Sequence, residues 1–193
     1  GQKYVPLEIK KLKSVLADKY LCNFSLFQSA PDAWAIQQIL PVLPVMRLKE
    51  KPIVECSLAD ITCDSDGKVS NFLGPDGQTN TLKIHPLNPG EEYYLGLFLT
   101  GAYQDIMGDM HNLFGRLNEV HVYYDSEDEN NFYIEEIIKG NSSAEVLEIM
   151  QYNGPEMCKM IKNKIDQQVK AGVLKPRNGV RLVDLYENCL YGY

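Results

Sequence analysis

The 193 residues carry 19 lysines and arginines against 26 aspartates and glutamates, a net charge of −7. That balance excludes a nucleic-acid grip built on phosphate neutralisation, and no Lys/Arg run with interleaved aromatics occurs. Hydrophobic content of 45% with 23% charged residues is that of a globular chain, long enough to bury a sizeable core without disulfides or a metal.

No apolar stretch approaches the roughly 18 residues of a membrane span, and no signal peptide opens the chain. The cysteines (Cys22, Cys56, Cys63, Cys158, Cys189) are scattered with no Cys-x-x-Cys pair, and the histidines are dispersed. A structural zinc site is therefore not expected, and free thiols in an acidic chain point to a reducing, cytoplasmic home. The chain opens on Gly1 rather than Met and closes on Leu190-Tyr191-Gly192-Tyr193; both ends read as those of an excised piece of a longer protein.

In chain order, Pro6 to Asp18 reads as a short helix, with proline in the first turn and Leu7, Ile9, Leu12, Val15 and Leu16 as its stripe. Aromatic-rich Tyr20 to Phe27 reads as a strand, and Ala33 to Ile39, after Ser29-Ala30-Pro31-Asp32, as a short helix holding the only tryptophan, Trp34. Pro41, Pro44 and Pro52 mark an extended connection. Ile53 to Thr62 reads as a strand, and Lys68–Leu73 and Thr81–Leu87 as two more around the turn Gly74-Pro75-Asp76-Gly77. Glu91 to Ala102, apolar on both faces, predicts a central buried strand. At Gly101-Ala102-Tyr103 the periodicity turns helical, and Gly108 and Gly115 bracket a loop carrying His111, Asn112 and Phe114.

Val120–Tyr124 and Phe132–Ile138 predict a hairpin around the acidic tip 125–130. That tip has carboxylates for calcium but not the ordered ligand spacing, which favours a solvated turn. Ser142-Ser143-Ala144-Glu145 forms a capping box ahead of Val146, Leu147, Ile149 and Met150. Gly154-Pro155 breaks that helix; Met157–Ala171 and Val180–Leu190 predict two more. The expected division is 1–19 as the remnant of a preceding helical or linker region, 20–140 as a β domain, and 141–193 as a helical appendage.

The chemistry concentrates in Asp60-Ile61-Thr62-Cys63-Asp64-Ser65-Asp66-Gly67. As a strand it would place Cys63 and Ser65 on one face and Asp64 and Asp66 on the other; as a loop it is free to present all four to one small volume. The residues alone also fit an ordinary Asp-Gly turn with solvated carboxylates. A thiol beside carboxylates is a poor nucleophile, because neighbouring negative charge keeps it protonated, but it is a competent proton donor to a carbanion. A carboxylate beside it suits a guanidinium, which it can bond in a bidentate way. The pair points to acid catalysis on a basic amino acid. Tyr103, after small Gly101 and Ala102, is placed to donate to a phosphate, or else is one more packing tyrosine. His111 reads as a hydrogen-bonded structural histidine, and no hydrolase triad order is present.

Asp18-Lys19-Tyr20, Asn23-Phe24-Ser25-Leu26-Phe27-Gln28-Ser29 and Pro31-Asp32-Ala33-Trp34 together resemble the biosynthetic arginine decarboxylases. So do the 60–67 octapeptide, Gly101-Ala102-Tyr103-Gln104 running through Met110-His111-Asn112-Leu113-Phe114-Gly115, and the closing Leu190-Tyr191-Gly192-Tyr193. The resemblance implies a mainly β fold with α: the C-terminal β-sandwich or barrel-like domain of a fold-type III pyridoxal-phosphate decarboxylase, followed by a small helical region. It implies decarboxylation of L-arginine to agmatine in putrescine and spermidine (polyamine) synthesis, with pyridoxal 5'-phosphate bound mainly by an upstream barrel domain and magnesium as a further cofactor.

The same resemblance implies a homodimer or higher oligomer in which two subunits build each site. Cys63 looks like the family's Cα proton donor, Asp64 like the carboxylate that reaches the substrate's distal cation across the dimer, and Tyr103 like the tyrosine touching the cofactor phosphate. Asp66 is a further guanidinium partner, and Asp18 resembles a substrate-side aspartate of related ornithine decarboxylases. The Schiff-base lysine belongs upstream and none of this chain's lysines matches it, so the piece alone is expected to be inactive. The alternatives are a stand-alone acidic β-domain interaction module, or the same fold acting on lysine, ornithine or diaminopimelate.

Overall fold

The computed structural model describes residues 6–75 and 77–192. Gly1, Asp76 of the Gly74–Gly77 turn and Tyr193 of the closing motif lie outside the described residues. The chain packs as two compact units, residues 1–112 and 113–193.

The first unit runs α1 (Leu7–Leu16), β1 (Asp18–Leu21), α2 (Leu26–Ser29), α3 (Pro31–Ala35), β2 (Val42–Pro44), β3 (Val54–Ala59), β4 (Lys68–Val69), β5 (Phe72–Gly74), β6 (Gly77–Thr79), β7 (Leu82–Ile84), β8 (Leu95–Leu97) and α4 (Ala102–Met107). Strand β3 organises it. It pairs in parallel with β1 on one edge and antiparallel with β4 and β7 on the other. Its alternation buries Cys56 and Leu58, which join Val42, Phe72, Leu82 and Ile84 in one apolar core, with Tyr20, Tyr93 and Leu97 packed around it.

Two sequence expectations give way here. The strand foreseen over 20–27 ends at Leu21, and Leu26–Ser29 closes a helical turn instead. Ser25 occupies the cap position without a side-chain bond; the buried carboxylate of Asp60 accepts from Leu26 N at 2.9 Å. A cap supplied from 34 residues away is invisible to local pattern. The central buried strand foreseen over 91–102 is only β8, which pairs with β2 in a two-stranded ladder and is half-buried. Gly96 brings the backbone so close to Val45 and Phe98 that an added Cβ would lie 2.9 and 2.8 Å from their side chains, and Leu99 turns the chain with a φ of +59°. The centre of the sheet belongs to β3.

The second unit opens on the hairpin β9 (Glu119–Tyr124) and β10 (Phe132–Ile138), with a register shift between Ile134 and Glu136. Tyr123 and Tyr133, directly opposite, stack with centroids 5.7 Å apart. At the acidic tip the Asp125 and Asp128 carboxylates accept from Glu127 N and Asn130 N, the bonding of a side-chain-closed turn. Helices α5 (Ser143–Ile149), α6 (Gly154–Lys170) and α7 (Pro176–Tyr191) follow. Gly154-Pro155 opens α6 as well as separating it from α5: proline stands in the first turn and Asn153 caps it through Glu156 N at 2.9 Å. The fold class is thus mixed sheet and helix, ending in helices. Among the described residues no helix is long and apolar enough to cross a membrane.

The capping box forms as the sequence predicts. Ser142 Oγ accepts from Glu145 N, and the Glu145 carboxylate accepts from Ser142 N at 2.6 Å. These bonds, the backbone one first, hold the Glu145 carboxyl below its usual range. Because that value is depressed on folding, its stabilisation is present above the ordinary carboxyl range and is lost as pH falls through the folded value. Ser142→Ala is expected to lower stability by about 1 kcal/mol in urea denaturation at neutral pH, with the deficit shrinking on acidification.

Candidate functional site

Beyond Ala59 the chain leaves β3 in a tight loop rather than continuing as strand. Asp60 N donates to Gly67 O at 2.8 Å, and Gly67 N to Asp64 O at 3.1 Å, so the two ends of the octapeptide are tied together. Asp60 is its buried post. Besides capping α2, its carboxylate accepts from Thr62 N at 3.0 Å and from Thr62 Oγ1 at 2.7 Å. Gly67 is required by space: an added Cβ would sit 2.0 Å from Asp60 Oδ1 and 2.6 Å from Thr62 Oγ1. The loop thus presents Cys63 and Asp64, both exposed, from a fixed base.

The second half of the cluster comes from residues 108–112. Gly108 packs against α2 so closely that an added Cβ would lie 2.1 Å from Gln28 O, and Asp109 N donates to Phe27 O at 3.1 Å. The His111 ring lies 4.8 Å from that of Phe27, which in turn meets Trp34 edge-on at 5.2 Å. From this support His111 Nε2 pairs with Asp64 Oδ2, and Asn112 Oδ1 stands 3.8 Å from Cys63 Sγ. The thiol also lies 3.9 Å from Asp64 Oδ2. Both neighbours of the exposed sulfur are acceptor oxygens, to which an S–H can donate.

The core thiols differ. Burial pushes Cys22 up to about 11 and Cys56 up to about 12, which leaves them inert. His85 is likewise a structural residue, its nitrogens bonded to Tyr93 Oη and Glu50 O.

The other candidate residues lie apart from the thiol. Tyr103 is exposed on α4, and among the described residues its hydroxyl has no hydrogen-bond partner. The helix that carries it is fixed by buried Gln104, whose amide bonds both Asp32 N and the Asp32 carboxylate. Asp66 lines a separate cleft of about 260 Å3 with Trp34, Gln38, Lys68 and Asn71. Asp18 begins β1 opposite Cys56, whereas the Cys63 loop leaves the far end of β3. Sequence reasoning missed Asn112 and the pairing of His111 with Asp64, contacts that span 49 and 47 residues. The only available signal was that both residues stand in a segment bracketed by glycines. Among the described residues no three His, Cys, Asp or Glu side chains converge as a metal site.

The elements define a segment of mixed sheet and helix that ends in helices. Residues 144–193 match the family described as the arginine decarboxylase C-terminal helical extension. Over its full length the chain is 47% identical to the biosynthetic arginine decarboxylase of Phocaeicola vulgatus and 48% identical to that of Bacteroides thetaiotaomicron, covering 30% of each relative. The crystal structure of the biosynthetic arginine decarboxylase from Campylobacter jejuni superposes with a TM-score of 0.69 at 34% identity, covering 91% of this chain and 28% of that one. The chain is thus similar to a segment of the biosynthetic arginine decarboxylases, and it spans about 30% of the length of the curated relatives it matches.

Proposed function

We propose that this chain supplies the proton-donor side of an arginine decarboxylase site that forms agmatine from L-arginine in the cytoplasm, for polyamine synthesis. The observation that carries this reading is the exposed Cys63 thiol held between the Asp64 carboxylate and the Asn112 amide oxygen. Cys63 Sγ donates the proton that the substrate Cα takes once carbon dioxide has left. Asp64 receives the substrate's guanidinium, whose planar fork matches a carboxylate better than an ammonium does. Asp66, expected as a further guanidinium partner, lines a separate cleft with Trp34, so the cation contact is assigned to Asp64 alone.

Pyridoxal phosphate fits what is present only in part. Exposed Tyr103 with its unpartnered hydroxyl suits one bond to a phosphate oxygen, while among the described residues no lysine pairs with the Cys63 cluster. When bound, the cofactor supplies the electron sink for the bond to the carboxylate carbon, and the protein supplies orientation and the proton. Tyr103, Cys63 and Asp64 are all exposed, which suits a site completed by a barrel domain and by a second subunit. On that reading residues 1–193 alone are inactive.

The test is carbon dioxide release from L-arginine, with ornithine and lysine as controls, by the protein expressed from the complete open reading frame with added pyridoxal phosphate. Arginine-selective, cofactor-dependent release is expected. Release from ornithine or lysine in preference would transfer the reading to those substrates, and no release from a folded protein would overturn it.

A further inference from the structure

The proposed function leaves the residues opposite Cys63 and Asp64 without a role, and their geometry calls for one. The turn at 108–112 is pinned to α2 by the Gly108–Gln28 approach, the bond from Asp109 N to Phe27 O and the His111–Phe27 ring contact. Two consecutive residues of that turn then meet two consecutive residues of the other loop: His111 meets Asp64, and Asn112 meets Cys63. Asn112 holds a φ of +56°, a left-handed conformation that asparagine tolerates better than most residues and glycine better still. Backbone demand alone would be met by glycine. What asparagine adds is the amide oxygen 3.8 Å from the thiol.

We infer that Asn112 and His111 are positioning residues of the decarboxylation. Asn112 fixes the direction in which the Cys63 S–H presents its proton, and His111 fixes the Asp64 carboxylate that takes the substrate's distal charge. The inference rests on the reading of Cys63 and Asp64 given above. Without the Asn112 oxygen the S–H keeps only the Asp64 carboxylate at 3.9 Å and turns away from its set direction, so fewer protons reach Cα and more are taken up at the wrong carbon. A carboxylate released from His111 still binds the cation, but it loses its set direction, and the loss falls on substrate binding.

The holoenzyme from the complete open reading frame tests both halves. Asn112→Gly preserves the left-handed backbone and removes the acceptor. It is expected to shift the ratio of agmatine to transaminated product about tenfold toward the latter, the equivalent of about 1.4 kcal/mol. Asn112→Asp, which keeps both an acceptor and tolerance for the conformation, is expected to restore the ratio. His111→Phe keeps the ring against Phe27 without the donor, and is expected to raise KM for arginine about tenfold with little change in kcat.

A readout independent of turnover is the S–H stretching band of Cys63, isolated by infrared difference against Cys63→Ser. In Asn112→Gly it shifts from its wild-type position, because the Asn112 oxygen is gone and only the Asp64 carboxylate remains as acceptor. A wild-type product ratio and an unmoved band in Asn112→Gly would assign Asn112 to backbone geometry alone and overturn the inference while the decarboxylase reading stands. A wild type inert toward arginine overturns that reading and the inference with it. Should Asn112→Gly fail to fold, Asn112→Asp carries the test, since loss of both the ratio and the band there is equally fatal.

Discussion

Gly67→Ala is expected to lower the stability of the protein by roughly 3–5 kcal/mol, far more than alanine for glycine ordinarily costs. Conformation is not the reason, because Gly67 is absent from the left-handed glycines Gly77, Gly90 and Gly172. Space is. The new methyl would fall 2.0 Å from Asp60 Oδ1 and 2.6 Å from Asp60 Cγ. That carboxylate cannot swing away freely, since it is buried and holds Leu26 N, Thr62 N and Thr62 Oγ1. Moving it strands a buried backbone donor at the start of α2, and each such loss costs about 1–3 kcal/mol. The alternative, shifting Gly67, breaks its bonds to Asp60 N and Asp64 O, which close the loop under Cys63. Gly101→Ala is the control: an added Cβ there meets nothing within 4 Å, and its midpoint should match that of wild type. Thermal or urea midpoints of the three proteins decide the matter, and a Gly67→Ala midpoint equal to wild type would remove Asp60 as the post of the site.

The same loop shows why some of this structure was legible in the sequence and some was not. The capping box at Ser142 and Glu145, the hairpin of β9 and β10, and the long helices α6 and α7 are written in neighbouring residues, so pattern reading finds them. The single turn α2 is not, because what starts it is Asp60, brought close only when β3 delivers the loop. An apolar run such as Tyr93 to Leu99 reads as a central strand from composition, yet the ladder stops where Leu99 turns left-handed. At the site, adjacency alone put Cys63 beside Asp64. Asp66 departs from them because 61–66 is loop rather than strand, and it lines the cleft with Trp34 instead. The partners His111 and Asn112 are set by the Phe27 ring and the Gly108 contact, neither of which has a local signature.

Cys63→Ala in the full-length enzyme is expected to slow agmatine formation by about 10²–10⁴-fold, the usual contribution of a positioned general acid, while the transaminated product accumulates. The geometry sets both halves of that expectation. The sulfur is exposed, so a substrate carbon can reach it, and its neighbours are the oxygens of Asp64 and Asn112 rather than a base that would strip its proton. His111, the nearest imidazole, is already engaged with the Asp64 carboxylate. On the proposed reading such a thiol gives a proton rather than attacks. Removing it would leave untouched the electron-sink chemistry that the cofactor would supply when bound, but would deprive the substrate carbon of its donor. The rate and the product ratio must therefore move together. Cys63→Ser, which keeps a hydroxyl between the same two oxygens, should recover part of both. Agmatine and the transaminated product are measured by chromatography after single turnovers. An alanine variant that slows release yet keeps the wild-type product ratio would show that Cys63 shapes the site without donating the proton, and would leave the exposed Tyr103 hydroxyl as the next donor to test.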